Sequence, residues 1–117
     1  MSWVKRGAEE KRGSDLINEY DSAVMDFADD IFFLDEMNID EIDLHKTNKD
    51  TIEFWEKMDK GDGDTYHVDL VRRMMTDVQN LAPVIVGLHG EVFDGHHRLT
   101  AFNELGIKTI KVWRQKP

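Results

Sequence analysis

Residues 92–98 read Val92-Phe93-Asp94-Gly95-His96-His97-Arg98, and residues 94–98 of that run are suited to holding an anion. Gly95 lacks a Cβ, so the chain can reverse sharply there and a ligand can approach the backbone closely. If a helix starts at His96, its first amides have no intrahelical partners and sit at the positive end of the helix dipole. A phosphate is the natural guest of such a corner. Arg98, in the first turn, can meet a phosphate with two parallel hydrogen bonds, and His96 and His97 add donors that change charge near neutral pH. Asp94 is the one carboxylate in the run, which makes it the candidate base or metal contact, with His96 the second candidate catalytic residue. Alternatively, Asp94 caps the helix and the histidines only pack. Joint metal ligation by His96 and His97 is not expected, because adjacent helical residues point about 100° apart.

The flanking elements must build a strand, a turn and a helix around this run. Pro83-Val84-Ile85-Val86-Gly87 is apolar and β-branched, as a buried strand is. His89-Gly90 is a turn after which Glu91-Val92-Phe93 pairs back as a hairpin. Residues 96–105 then form a helix with Leu99, Phe102 and Leu105 on one side, ended by Gly106. The alternation of residues 108–113 predicts a half-exposed final strand.

Upstream the pattern is mostly helical. Ser14 offers an N-cap and Asp15 a first-turn charge, before a stripe of Leu16, Ile17, Tyr20, Val24, Phe27, Ala28 and Ile31. The run 31–34 either ends that helix or begins a strand, and Ile39, Ile42 and Leu44 suggest a short extended segment. Thr47 and Asp50 resemble a capping box ahead of a helix carrying Ile52, Trp55 and Met58. Residues 60–64 read as an acidic loop, since Asp62-Gly63-Asp64 lacks the alternating ligands and distant Glu of a calcium loop. Val68, Val71, Met74, Met75, Val78 and Leu81 mark a second helical stripe, with Arg72 and Arg73 able to extend a basic rim. Trp55, Met74 and Met75 are expected in the core. His45, His67 and His89 carry no assigned role. The fold class is α+β: a small mixed sheet with packed helices, residues 1–14 forming a loose arm and 15–117 one domain.

Composition bounds the function. At 117 residues without cysteine, the chain has no disulfide, thiolate zinc site or cysteine nucleophile. A chain of this length buries roughly 65% of its unfolded surface and needs no metal to fold. No apolar run approaches a membrane span, so a cytoplasmic location without membrane partners is expected. The net charge of −9 is uneven: residues 15–64 hold seventeen acidic and four basic side chains, whereas residues 65–117 hold five and seven. Indiscriminate DNA binding by the whole domain is not expected, because phosphate affinity scales with the cations presented.

The segment 83–113 resembles the core of the ParB/sulfiredoxin superfamily. The matching pieces are Pro83-Val84-Ile85-Val86, Phe93-Asp94-Gly95-His96-His97-Arg98, Leu105-Gly106 and residues 108–113, in the family's order. The resemblance implies phosphate or nucleotide binding at Gly95, His96, His97 and Arg98, with ATP or CTP and Mg²⁺ as cofactors. It points to a phosphotransferase or a ParB-like nuclease, though whether the domain turns over is open. Sulfiredoxin chemistry requires a cysteine in this turn, and there is none. The family's serine kinases carry a glutamate in a segment whose nearest equivalent is Leu44-His45-Lys46, with Lys46 in its place. The helix-turn-helix domain of partitioning proteins is not expected in this chain. The contrasting expectation is a non-catalytic acidic regulator of phage or mobile-element type. Asp26, Asp29 and Asp30 would then engage a protein partner or nucleic-acid machinery, or imitate a nucleic acid.

Overall fold

The computed structural model describes residues 9–16, 27–42 and 51–117. Five strands form one mixed sheet in the order β1-β2-β5-β3-β4: β1 Glu10–Arg12, β2 Ile31–Asn38, β3 Val84–Val86, β4 Val92–Asp94 and β5 Thr109–Gln115. All pairings are antiparallel except β3 with β5. A turn of helix, α1 (Gly13–Leu16), follows β1. Helices α2 (Ile52–Asp62) and α3 (Tyr66–Thr76) form a hairpin, and α4 (His96–Glu104) links β4 to β5.

Interior strand β3, between β5 and β4, is buried along its whole length, as its unbroken apolar sequence requires when both sheet faces are covered. On one face, Leu99 and Phe102 of α4 pack with Val84, Val86, Ile110, Val112 and Met37. On the other, Phe27, Phe32, Ile85 and Trp113 form a second cluster, with Phe93 stacked on Phe27 at 4.7 Å between ring centroids. The far side of α4 meets the helical hairpin, where Ala101 packs with Trp55, Val68 and Val71. Helix α4 therefore lies between the sheet and the hairpin, with Leu99, Thr100, Ala101 and Phe102 all buried.

Three upstream expectations are corrected and one left open is decided. The arm expected over residues 1–14 includes an edge strand, because Glu10–Arg12 pairs with Ile31–Phe33. Of the two readings left open for the apolar run at 31–34, the strand holds, and it runs for eight residues; residues 17–26 lie outside the described residues. The extended segment expected after Asn38 is instead a 3-10 turn at Ile39–Glu41, with the Asn38 side chain capping it. Residues 60–62 are helical, and the reversal falls on Gly63, whose φ of 67° places it in the left-handed region that glycine enters without a Cβ penalty.

Two further boundaries shift. The N-cap of α2 is Thr51, whose Oγ1 accepts from the Phe54 amide at 3.3 Å, so the capping role assigned to Thr47 and Asp50 falls elsewhere. Those two residues, with Leu44, His45 and Lys46, lie outside the described residues. The stripe over 68–81 is split: α3 ends at Thr76 and a 3-10 turn spans Val78–Asn80. No helix among the described residues is long and apolar enough to cross a membrane.

Candidate anion site at the β4–α4 corner

The strand-turn-helix corner forms as its sequence predicts. Gly95 is the N-cap of α4 with φ 113°, and it brings no side chain to cap the helix. Asp94 therefore does not cap; its Oδ2 accepts from Arg98 Nη2 at 3.1 Å. The helix start opens into a cavity of about 430 Å³ lined by Trp55, Met74, Phe93, Asp94, Gly95, His96, His97 and Arg98. All five predicted site residues border this cavity. Trp55 and Met74, expected only as core, add part of its apolar wall.

Arg98 is oriented differently from the expectation. Its Nη1 donates to the carbonyls of Ala82 at 3.1 Å and Pro83 at 2.9 Å, while Nη2 serves Asp94. The guanidinium lies directly over Gly95, where an added Cβ would stand 3.0 Å from Nη2. Burial lowers the Arg98 pKa, and the Asp94 carboxylate opposes that shift. The terminal nitrogens expected to grip a phosphate thus tie the loop before β3 to the start of α4. Among the described residues the Nε hydrogen and one Nη2 hydrogen keep no protein partner.

His97 meets a residue to which the sequence assigned no role. Its Nε2 lies 2.7 Å from Nδ1 of His67 on α3. Both imidazoles stack on the Trp55 indole, at 4.1 Å for His97 and 4.8 Å for His67. Trp55 is held in turn: its Nε1 donates to Thr100 Oγ1 at 2.9 Å, and that hydroxyl donates to the His96 carbonyl at 2.8 Å. Behind His67, the buried Asp59 carboxylate accepts from the amides of His67 at 3.0 Å and Val68 at 2.9 Å. One residue of α2 thereby caps the first turn of α3.

These surroundings set two protonation states. Desolvation first, then the neighbouring His67 and His96, push the His97 pKa down to about 4, against the attraction of Asp59. For Asp59, burial is the strongest influence and opposes ionisation. The two amide hydrogen bonds together with His67 and His97 outweigh it, and its pKa is lowered.

The remaining candidates lie apart. Arg72 and Arg73 are exposed and line a separate hollow with Asp64, Thr65, Tyr66 and Asp69, so they do not extend a rim around this cavity. His89 is exposed in the β3–β4 turn, its amide donating to Glu91. Of the acidic residues expected to meet a partner, Asp29 is exposed and Asp30 accepts from Gln115 at 2.8 Å; Asp26 is outside the described residues. Among the described residues no group of three or more histidines or carboxylates is arranged to hold a metal ion.

The class defined by fold and site is a small α+β domain in which a helix N-terminus with glycine at its N-cap faces a half-apolar cavity. No family model and no curated protein matches the chain. Among solved structures, it is similar to the C2221 form of a Pnob8-like ParB-N domain, at 17% identity and a TM-score of 0.48. That similarity covers 74% of this chain and 30% of the other, so this chain spans about a third of that protein's length.

Proposed function

We propose that this domain binds a phosphate-bearing ligand, a nucleotide such as ATP or CTP, at residues 94–98. The observation that carries the proposal is the start of α4: its N-cap is Gly95, which has no side chain, and it opens into a cavity with Trp55, Met74 and Phe93 along its wall. Amides at a helix N-terminus favour the phosphate, while the apolar wall suits a planar or hydrophobic remainder. The cavity also falls within the roughly 300–1,000 Å³ range of small-molecule sites. Gly95, His96 and His97 supply the cradle, and Arg98 contributes its Nε edge and its charge while its Nη1 group holds the turn.

The residues fit a phosphate and do not fit a protein-held metal. Asp94, the carboxylate nearest the cradle, is committed to Arg98, so Mg²⁺ would arrive on the nucleotide's own phosphates. The same ion pair argues against Asp94 as a base in its present position. Any turnover would belong to phosphoryl transfer or phosphodiester cleavage. Calorimetric titration of the full chain with ATP, CTP and inorganic phosphate, with and without Mg²⁺, tests the reading. Saturable binding that inorganic phosphate competes away is expected, and the absence of binding by all three would overturn it.

A further inference from the structure

Two histidines thirty residues apart share one hydrogen bond beside the cavity, and that geometry decides what His97 can offer a ligand. With Nε2 tied to His67, the ring nitrogen left for the cavity is Nδ1, which has no protein partner among the described residues. At neutral pH the His97 ring carries a single hydrogen, since its pKa lies at about 4. Two arrangements satisfy the 2.7 Å contact. If the hydrogen between the rings belongs to His97, its Nδ1 is a lone pair and repels an anion. If it belongs to His67, His97 must carry its own hydrogen on Nδ1 and presents a donor.

The charged groups around the pair select between these arrangements. Asp59, on α2, lies on the His67 side of the pair, its Oδ1 accepting from the His67 amide at 3.0 Å. Its negative charge draws the shared hydrogen toward His67. On α4, His97 stands in the first helical turn beside Arg98 and His96, where positive potential disfavours added charge but not a neutral N–H. Trp55 faces both rings and brings no charge. We propose that His67 is the positioning residue of this site: by donating from Nδ1 to His97 Nε2, it fixes His97 as a neutral Nδ1–H donor aimed at a bound anion. The anion half rests on the phosphate reading above; the tautomer half rests on the His67–His97 contact and the charges around it, independently of that reading.

The test uses the full chain labelled with ¹⁵N-histidine, read by long-range proton–nitrogen correlation at neutral pH. His97 is expected to show a hydrogen-bearing Nδ1 and a bare Nε2, and to lose that fixed preference in His67→Ala. In His67→Asn the amide nitrogen can donate from near the position of Nδ1, so the native tautomer should return; a merely space-filling role would give no such rescue. Titration with inorganic phosphate should show about tenfold weaker binding in His67→Ala and near-native binding in His67→Asn. A hydrogen found on His97 Nε2 in the native chain overturns the proposal, as does an unchanged tautomer in a folded His67→Ala. If inorganic phosphate fails to bind the native chain, the anion half falls with the phosphate reading, and the tautomer result still decides the role of His67.

Discussion

Arg98 reaches back across the corner to Pro83, its Nη1 donating to the Pro83 carbonyl at 2.9 Å. The same nitrogen serves the adjacent Ala82 carbonyl, and Nη2 serves Asp94. Leu81, Ala82 and Pro83 lie between a 3-10 turn and β3, and acceptors there need donors wherever water is excluded. One planar cation thus ties the entrance of β3 to the start of the helix that packs on the sheet.

Arg98→Ala should therefore destabilise the fold whatever it does to ligands. It leaves two carbonyls and a carboxylate without their donor, at a cost of about 2–3 kcal/mol. Arg98→Lys should recover little, because one ammonium cannot span a fork that the guanidinium fills in a plane. Urea denaturation of the three proteins measures this, and an Arg98→Ala chain as stable as the native one would refute the strap. Loss of nucleotide affinity in that variant supports a binding role for Arg98 only under conditions where the variant is folded.

Gly95→Ala should be costly for two reasons that act together. The φ of 113° lies where side-chain-bearing residues are strained, and the new methyl would press on the guanidinium at 3.0–3.2 Å. A loss of about 1–3 kcal/mol is expected, with any phosphate affinity falling too as the Arg98 strap shifts. Thermal denaturation reads the first effect and calorimetry the second; native behaviour in both would mean the turn relaxes freely.

The sequence made the second half of the fold legible because its hydrophobic period changes cleanly there. Continuous β-branched residues mark β3, alternation marks β5, and the turn residues between strand and helix fall where backbone geometry demands them. The first half was harder for physical reasons. Phe27 and Ile31 continue a helical spacing, yet Ile31 belongs to β2; the strand then carries Asp35 and Glu36, which hide its period. Edge strand β1 is Glu-Lys-Arg with every side chain exposed, so only its pairing with β2 makes it a strand. At the site, Asp94 to Arg98 were legible as a cluster, but Arg98's inward fork depends on backbone carbonyls that no residue type announces. His67 was missed because its partner is thirty residues away. The available clue was the short α2–α3 connection, which makes those helices antiparallel neighbours and brings His67, beside buried Val68, toward Trp55.

The lowered pKa values give stability a definite pH dependence. An unfolded histidine takes up its proton near 6.5, whereas folded His97 resists protonation until about pH 4. Between those values the unfolded chain binds more protons, so stability falls as pH drops through that window. The loss is about 1–2 kcal/mol once solvent screening of a half-exposed ring is allowed for. Asp59 acts lower: its stabilising ionised form is present above the ordinary carboxylate range and is lost as pH falls below 3.8. Urea denaturation at pH 7, 5.5 and 4.5 should show the first slope, and His97→Phe, which keeps a ring on Trp55, should flatten it. An equal slope in that variant would assign the effect elsewhere.

The Trp55–Thr100 hydrogen bond gives the sharpest test of how the aromatic wall is held. Thr100 is fully buried and Trp55 nearly so, and among the described residues the indole N–H finds its acceptor in the threonine hydroxyl. Thr100→Val keeps the shape of the side chain but strands that N–H, at an expected cost of about 1–3 kcal/mol. Trp55→Phe removes the donor and leaves unfilled space beneath the two imidazoles, with a penalty of its own. Combining them should cost less than the two single losses added together, by about 1 kcal/mol, because the stranded donor is absent from the double variant. Additive losses in denaturation would mean that the bond contributes nothing beyond packing. A coupling of the expected size, with a displaced His97 ring signal in Thr100→Val, would place the hydroxyl among the groups that hold the histidine pair against the cavity.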